Sequence, residues 1–192
     1  MDYNKIVVPL DGSKLAETVL PHVEKIAKGC EVPQVILVTV TEAVRVKNPQ
    51  GERIEQTEGK FAKNILYYGT PSAFVGGEIA PDPMRDLPVT IGKMAKSGYA
   101  YLQRIAQQLE NDGVHATIAV LIGKIEEEIP HFAMEEKADL IVMASRGRRT
   151  LRRWDVGNAA VKVFRATDIP MMMIKPPPGF KETKPVRKGK AL

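Results

Sequence analysis

The stretch from Ala138 to Asn158, ADLIVMASRGRRTLRRWDVGN, decides the fold. Leu140 to Met143 is a short apolar run between Asp139 and a small polar turn, the pattern of a strand covered on both faces. Ala144-Ser145-Arg146-Gly147 follows, then nine residues containing Arg148, Arg149, Arg152 and Arg153, then Gly157-Asn158 at the head of an apolar-periodic segment. The order is strand, small-residue loop, cationic loop, helix start. Small residues let backbone N–H groups approach phosphate oxygens, a helix N-terminus adds partial positive charge, and arginines add charge-assisted bonds. This suits a polyphosphate. A plainer reading competes: Gly157-Asn158 caps a helix, and five arginines between residues 146 and 153 form a solvated loop.

Working outward, Lys5 to Leu10 (KIVVPL) is a β-branched apolar run closed by Asp11-Gly12-Ser13. Ser13 is an N-cap candidate for a helix carrying Leu15, Val19, Leu20, Val23, Ile26 and Ala27, which Gly29 ends and Pro21 should kink. Val35 to Val40 is a second buried strand. A second helix begins near Thr90, with Ile91, Met94, Ala95, Leu102, Ile105, Ala106 and Leu109 on one face. Val114 to Ile122 is a third strand, and Gly123 leads into a helix with Ile125, Ile129, Phe132 and Ala133 inward. After the opening stretch come a helix with Val156, Ala159, Ala160, Val163 and Phe164, and a last strand, Ile169 to Ile174.

Strands alternating with helices give a doubly wound, open, parallel five-stranded α/β sheet with helices on both faces. In the order 3-2-1-4-5 the loops after the first and fourth strands meet where the winding reverses, the expected ligand crevice of such a sheet. The parts amount to one domain over residues 1–176, with an insertion at about 43–88 and a basic tail over 177–192 expected to be disordered. Prolines and glycines break the pattern throughout the insertion, which is a lid, a contact arm or a mobile segment. Lys60 to Tyr68 is apolar enough to dock.

Composition removes several functions. No run of 18 apolar residues spans a bilayer, and MDYNK leads into the first strand without a signal-peptide core, so the expected location is cytoplasmic. Cys30 is the single cysteine, and three scattered histidines form no zinc-ligand pattern. The net charge of +5 is concentrated at the C-terminus, where five cations against Glu182 give residues 176–192 a charge of +4. That leaves +1 for the rest, which argues against specific nucleic-acid binding. Glu126, Glu127 and Glu128 occupy a first helical turn, where carboxylates complement the helix dipole. No base stands paired with a nucleophile, so no catalytic residue is assigned and an enzyme is not expected.

KIVVPLDGS at residues 5–13, Val35 to Val40, Gly123 through Gly147 and Val156 to Lys175 together resemble the universal stress protein family. The resemblance implies a five-stranded α/β fold, dimerisation and, in one subgroup, ATP binding through G-x2-G-x9-G-[ST], which falls here on Ala144, Gly147, Gly157 and Asn158. Only the second and third positions match. It further implies that Asp11 faces the nucleotide and that Val40 and Met143 line the adenine pocket. Pro9, Ala159 and the cationic-loop residues Arg146, Arg148 and Arg149, whose charge could compensate for the two departures, complete the candidate set for ATP or a related adenine nucleotide. No metal site is expected. The expected partners are a second copy, joined through Met171, Met172, Met173 and Ile174, and a protein of unknown identity. A nucleotide-free dimeric interaction module is the alternative, and a slow ATP hydrolase a weaker one.

Overall fold

The computed structural model describes residues 3–41, 45–47, 53–55, 65–69, 74–75, 78–79, 89–145 and 159–180. Its elements are β1 (Lys5–Pro9), α1 (Lys14–Glu17), α2 (Leu20–Gly29), β2 (Gln34–Thr41), β3 (Arg45–Lys47), β4 (Arg53–Glu55) and β5 (Ile65–Gly69). Next come β6 (Phe74–Val75), β7 (Glu78–Ile79), α3 (Val89–Asn111), β8 (Ala116–Ile122), α4 (Ile125–Glu135), β9 (Leu140–Ala144), α5 (Ala159–Arg165) and β10 (Met171–Ile174).

The main sheet runs β10-β9-β1-β2-β8-β5. Its first five members reproduce the expected order 5-4-1-2-3, all parallel. The count of five is corrected to six: β5, from inside the insertion, adds to β8 antiparallel, with a register shift between Ile65 and Tyr67. Two short antiparallel pairs, β3 with β4 and β6 with β7, also lie in the insertion. The strand was hidden because ILYYG shows no clean alternation. Neighbouring side chains hold it instead. Tyr67 meets Tyr99 of α3 edge-on at 4.8 Å, Tyr68 meets Phe132 of α4 at 5.6 Å, and the Tyr68 hydroxyl donates to Glu136 Oε2 at 2.8 Å.

Parallel sheets need both faces covered, and alternate residues of each strand feed two apolar layers. Ile6, Val8 and Leu10 join Leu37, Val142, Leu102 and Ile105 on the side of α1, α2 and α3. Val7, Ile36 and Val38 join Ile141, Phe132, Ile129 and Val163 on the side of α4 and α5. On the first side α3 comes unusually close to β2: a Cβ placed on Gly98 would lie 2.9 Å from Thr39 Cγ2.

Three local expectations are corrected. The first helix does not kink but stops at Glu17 and restarts at Leu20. Pro21 lacks an N–H and its ring would strike the carbonyl four residues back, whereas near the start of a new helix its missing donor costs nothing. Ser13 is the expected cap, its Oγ accepting from the Ala16 N–H at 3.1 Å. Met94, expected on the apolar face of its helix, and Phe164, expected at the apolar helical spacing of the last one, are 44% and 46% exposed. Ala95 and Val163, one residue further round or back, take the fully buried positions. At 100° per residue a narrow stripe admits one of two neighbours.

Candidate functional site

The chain turns one way from β1 to β2 and the other way to β9, and the two ladders differ in length. β1 and β2 pair from Lys5–Gln34 to Pro9–Val38. β1 and β9 pair only at Ile6–Leu140 and Val7–Ile141. The parity of the backbone explains why. The Leu10 N–H donates to Val38 O at 2.7 Å, so even-numbered residues of β1 bond toward β2; Lys5 O accepts from the Asp139 N–H at 2.9 Å, so odd-numbered ones bond toward β9. After Val7 the next donor toward β9 belongs to residue 9, which is proline and has none. The ladder ends there, and the carboxyl ends of β1 and β9 part.

Six of the twelve residues expected at the site lie among those described, and the registers bring the strand-borne ones to this end of the sheet. Pro9 is buried at the end of β1. Extending the β1–β9 register by two residues sets Met143 level with Pro9, and extending β1–β2 sets Val40 level with Asp11. Met143 is buried and Val40 half-buried, and both belong to the apolar layer of α4 and α5. Ala144 packs on the opposite layer, as alternation requires, and Ala159 opens α5 on the same layer as Met143. Arg146, Gly147, Arg148, Arg149, Gly157 and Asn158 lie outside the described residues.

Asp11 is exposed. Its Oδ1 accepts from the Ser13 N–H at 2.9 Å, closing an Asx turn. Gly12, at φ +79°, supplies the left-handed residue of that turn with open space around its Cα. One carboxylate is therefore held at the mouth of the parted strands. On the far side of β9, Ser145 is tied to β10, its N–H donating to Ile174 O at 2.7 Å. Such a crevice offers an apolar floor for a flat ring, a carboxylate acceptor for hydroxyl or amino donors, and small residues at the end of β9. A flat ring bearing hydroxyl or amino donors is the chemistry such groups can receive.

Two contributors were not legible in the sequence. Glu126 does more than complement a dipole: its Oε1 accepts from Lys162 Nζ at 2.7 Å, tying the first turn of α4 to the helix that follows the arginine-rich stretch. That bond is the main reason its carboxyl is held below the usual range. Its signal in sequence was one glutamate among three. Tyr101 of α3 lies near Asp11 and Glu17, whose negative charges both act on its hydroxyl. In the sequence it is one residue within an apolar-periodic helix.

The chain matches the model of the universal stress protein family over residues 2–175. It is 25% identical over 173 residues to universal stress protein MJ0577 of Methanocaldococcus jannaschii, covering 90% of this chain and 95% of that one. Among solved structures it resembles a universal stress protein in complex with cAMP, with TM-score 0.56 and 17% identity over 91% of this chain and 98% of the other. It also resembles a family member from Arabidopsis thaliana with AMP bound, with TM-score 0.56 and 14% identity over 91% of this chain and 93% of that chain. With the parallel order, the Asp11 turn and the small-residue end of β9 already in place, the match over nearly the whole length means that the chain belongs to the universal stress protein family.

Proposed function

We propose that this protein is a regulatory nucleotide-binding protein that takes ATP or a related adenine nucleotide between the carboxyl ends of β1 and β9. The observation that carries the reading is the parting of β1 and β9 beside an ordered Asp11, with Val40 and Met143 brought to the same end of the sheet. That relatives of the same fold hold cAMP or AMP supports an adenine nucleotide over other phosphate esters. The base would lie on the apolar floor, Asp11 would accept from the nucleoside, and the arginines would neutralise the phosphates. The reading assigns no catalytic residue. Mass spectrometry of small molecules released from freshly purified protein, followed by calorimetry with ATP, ADP and AMP, tests it. A chain that carries no nucleotide and gives no heat with any of the three would leave the crevice without this function.

The second reading, a nucleotide-free interaction module, is favoured by Ala144 and Asn158, which stand where the family's ATP-binding motif has glycine and a hydroxyl. Ala144 adds a methyl where backbone would approach phosphate, and Asn158 substitutes a longer amide. Restoring both, Ala144→Gly with Asn158→Ser, should strengthen ATP binding by about 1 kcal/mol, the worth of one ordinary hydrogen bond, or roughly fivefold in Kd. If the parent is silent in calorimetry and the restored protein binds, the interaction module is the better description.

On either reading we propose a homodimer through β10. Among the described residues this strand forms one edge of the sheet, paired to β9 alone, and its Met172 and Met173 are 37% and 38% exposed. An apolar edge invites a second strand, and two copies about a two-fold axis would pair antiparallel. Met172→Lys should move the protein from dimer to monomer in sedimentation velocity. A dimer unchanged by that substitution would place the interface elsewhere.

A further inference from the structure

The carboxylate of the candidate site stands on a short support. Asp11 is held by the Ser13 N–H, Ser13 caps α1 by accepting from the Ala16 N–H at 3.1 Å, and α1 is a single turn, Lys14–Glu17. A helix of that length does not hold itself in water, so whatever fixes α1 to the rest of the molecule also fixes the turn before it. Leu15 and Ala16 are buried and give it an apolar anchor. Its polar anchor is Glu17.

Glu17 joins two helices far apart in sequence. Its Oε2 accepts from Lys14 Nζ at 2.6 Å within α1, and its Oε1 accepts from Arg104 Nη2 of α3 at 3.3 Å. The Glu17 side chain is 17% exposed, so solvent screens these bonds less than it would an open surface pair. Arg104 is braced in turn by its own helix, its guanidinium lying 5.6 Å from the centroid of the Tyr101 ring, which packs on the apolar layer of α1, α2 and α3. Burial first, then the charge of Glu17, raises the pKa of the Tyr101 hydroxyl above the tyrosine range, so a neutral ring stands behind the ion pair.

We infer that Glu17, braced by Arg104, is a positioning residue of the candidate site, holding the one-turn helix and with it the Asp11 turn in the form that receives a nucleoside. This rests on the nucleotide reading above. Neither Glu17 nor Arg104 is assigned a contact with the ligand. A ligand takes only those molecules in which the turn is formed, so loosening the turn by a given factor weakens binding by at most that factor. Adenosine and ATP should lose equally, because Asp11 acts on the nucleoside side.

The test is solvent exchange of backbone amides, followed by NMR on the full chain without ligand, together with calorimetry with adenosine and with ATP. The proteins are the parent, Glu17→Gln, Arg104→Met, the double variant and Arg104→Lys. In Glu17→Gln the Ser13 and Ala16 amides should exchange about tenfold faster, as for the loss of a hydrogen bond to a charged group. The amides of Cys30 and Ala166, bonded at the ends of other helices to Ile26 O and Val163 O, should not change. Both ligands should bind about threefold more weakly, within the bound set by the exchange. Arg104→Met should move both readouts the same way, and the double variant should be no worse than Glu17→Gln alone, since the two residues share one bond. Arg104→Lys keeps a cation and should stay near the parent. Unchanged exchange at Ser13 and Ala16, an affinity that stays at the parent's, a loss of affinity larger than the gain in exchange, or a loss confined to ATP would each overturn the inference and leave the nucleotide reading standing. Faster exchange in a protein whose parent binds neither ligand would overturn the nucleotide reading, and with it the role of Glu17 in affinity.

Discussion

Replacing Arg148 and Arg149 together with alanine should weaken ATP binding about a hundredfold and leave adenosine within about twofold. Each charge-assisted contact to a phosphate oxygen contributes on the order of 1.5 kcal/mol at the low end of its range, and two such contacts correspond to two decades in Kd. Adenosine has no phosphate and should not register the loss. Added salt should mimic the substitution, because charge contacts reached by solvent are screened within about 8 Å at physiological ionic strength. Calorimetry of the two ligands at low and high salt, on parent and double variant, makes the comparison directly. Equal losses for ATP and adenosine would mean that these arginines shape the fold and do not meet phosphate. No loss for either would return the loop to the solvated reading.

Gly98→Val should destabilise the protein by about 3 kcal/mol, the upper part of the range for overpacking a close contact. The cause is the 2.9 Å approach of the added Cβ to Thr39 Cγ2. Threonine is branched at Cβ and stiff, so its methyl cannot swing away. Gly98→Ala sets two effects against each other: alanine gains about 1 kcal/mol of helix propensity over glycine, while the same Cβ contact costs about 1 to 3 kcal/mol. The contact should win by about 1 kcal/mol. Urea unfolding of the two variants ranks them. An alanine variant more stable than the parent would show that α3 can shift away from β2 without penalty.

The five parallel strands were legible because each is an apolar run closed by turn residues, and because a strand-helix-strand crossover leaves little choice of direction or hand. What stayed hidden were features decided by partners distant in sequence. β5 is a strand because β8 has an edge to cover and Tyr99 and Phe132 stand ready to receive its two tyrosines, none of which ILYYG records. The helix break at Glu17 to Leu20 was signalled by Pro21, but its position depends on where the proline ring meets the preceding turn. Met94 and Phe164 carried the right period for an inner face and lost the place to immediate neighbours.

The candidate site divides in the same way. Asp11, Val40 and Met143 follow from the family resemblance, and the registers bring them to one end of the sheet because all three lie at or just past the carboxyl ends of parallel strands. Tyr101 follows from neither, because its approach to Asp11 depends on the packing of α3 against α1, two elements separated by the whole insertion. Glu126 was visible as a carboxylate in a first turn, while its bond to Lys162 depends on the neighbouring placement of α4 and α5.

The proline at the end of β1 has a kinetic consequence. A parallel ladder with a donor at position 9 would tend to extend, and a ligand would then have to wait for that hydrogen bond to fray before entering. With proline at position 9, that one bond is never made. The end of the β1–β9 ladder at Val7 and Ile141 is thus set by the backbone itself, with no hydrogen bond from residue 9 to β9 that would have to break before the two strand ends were bridged by another group.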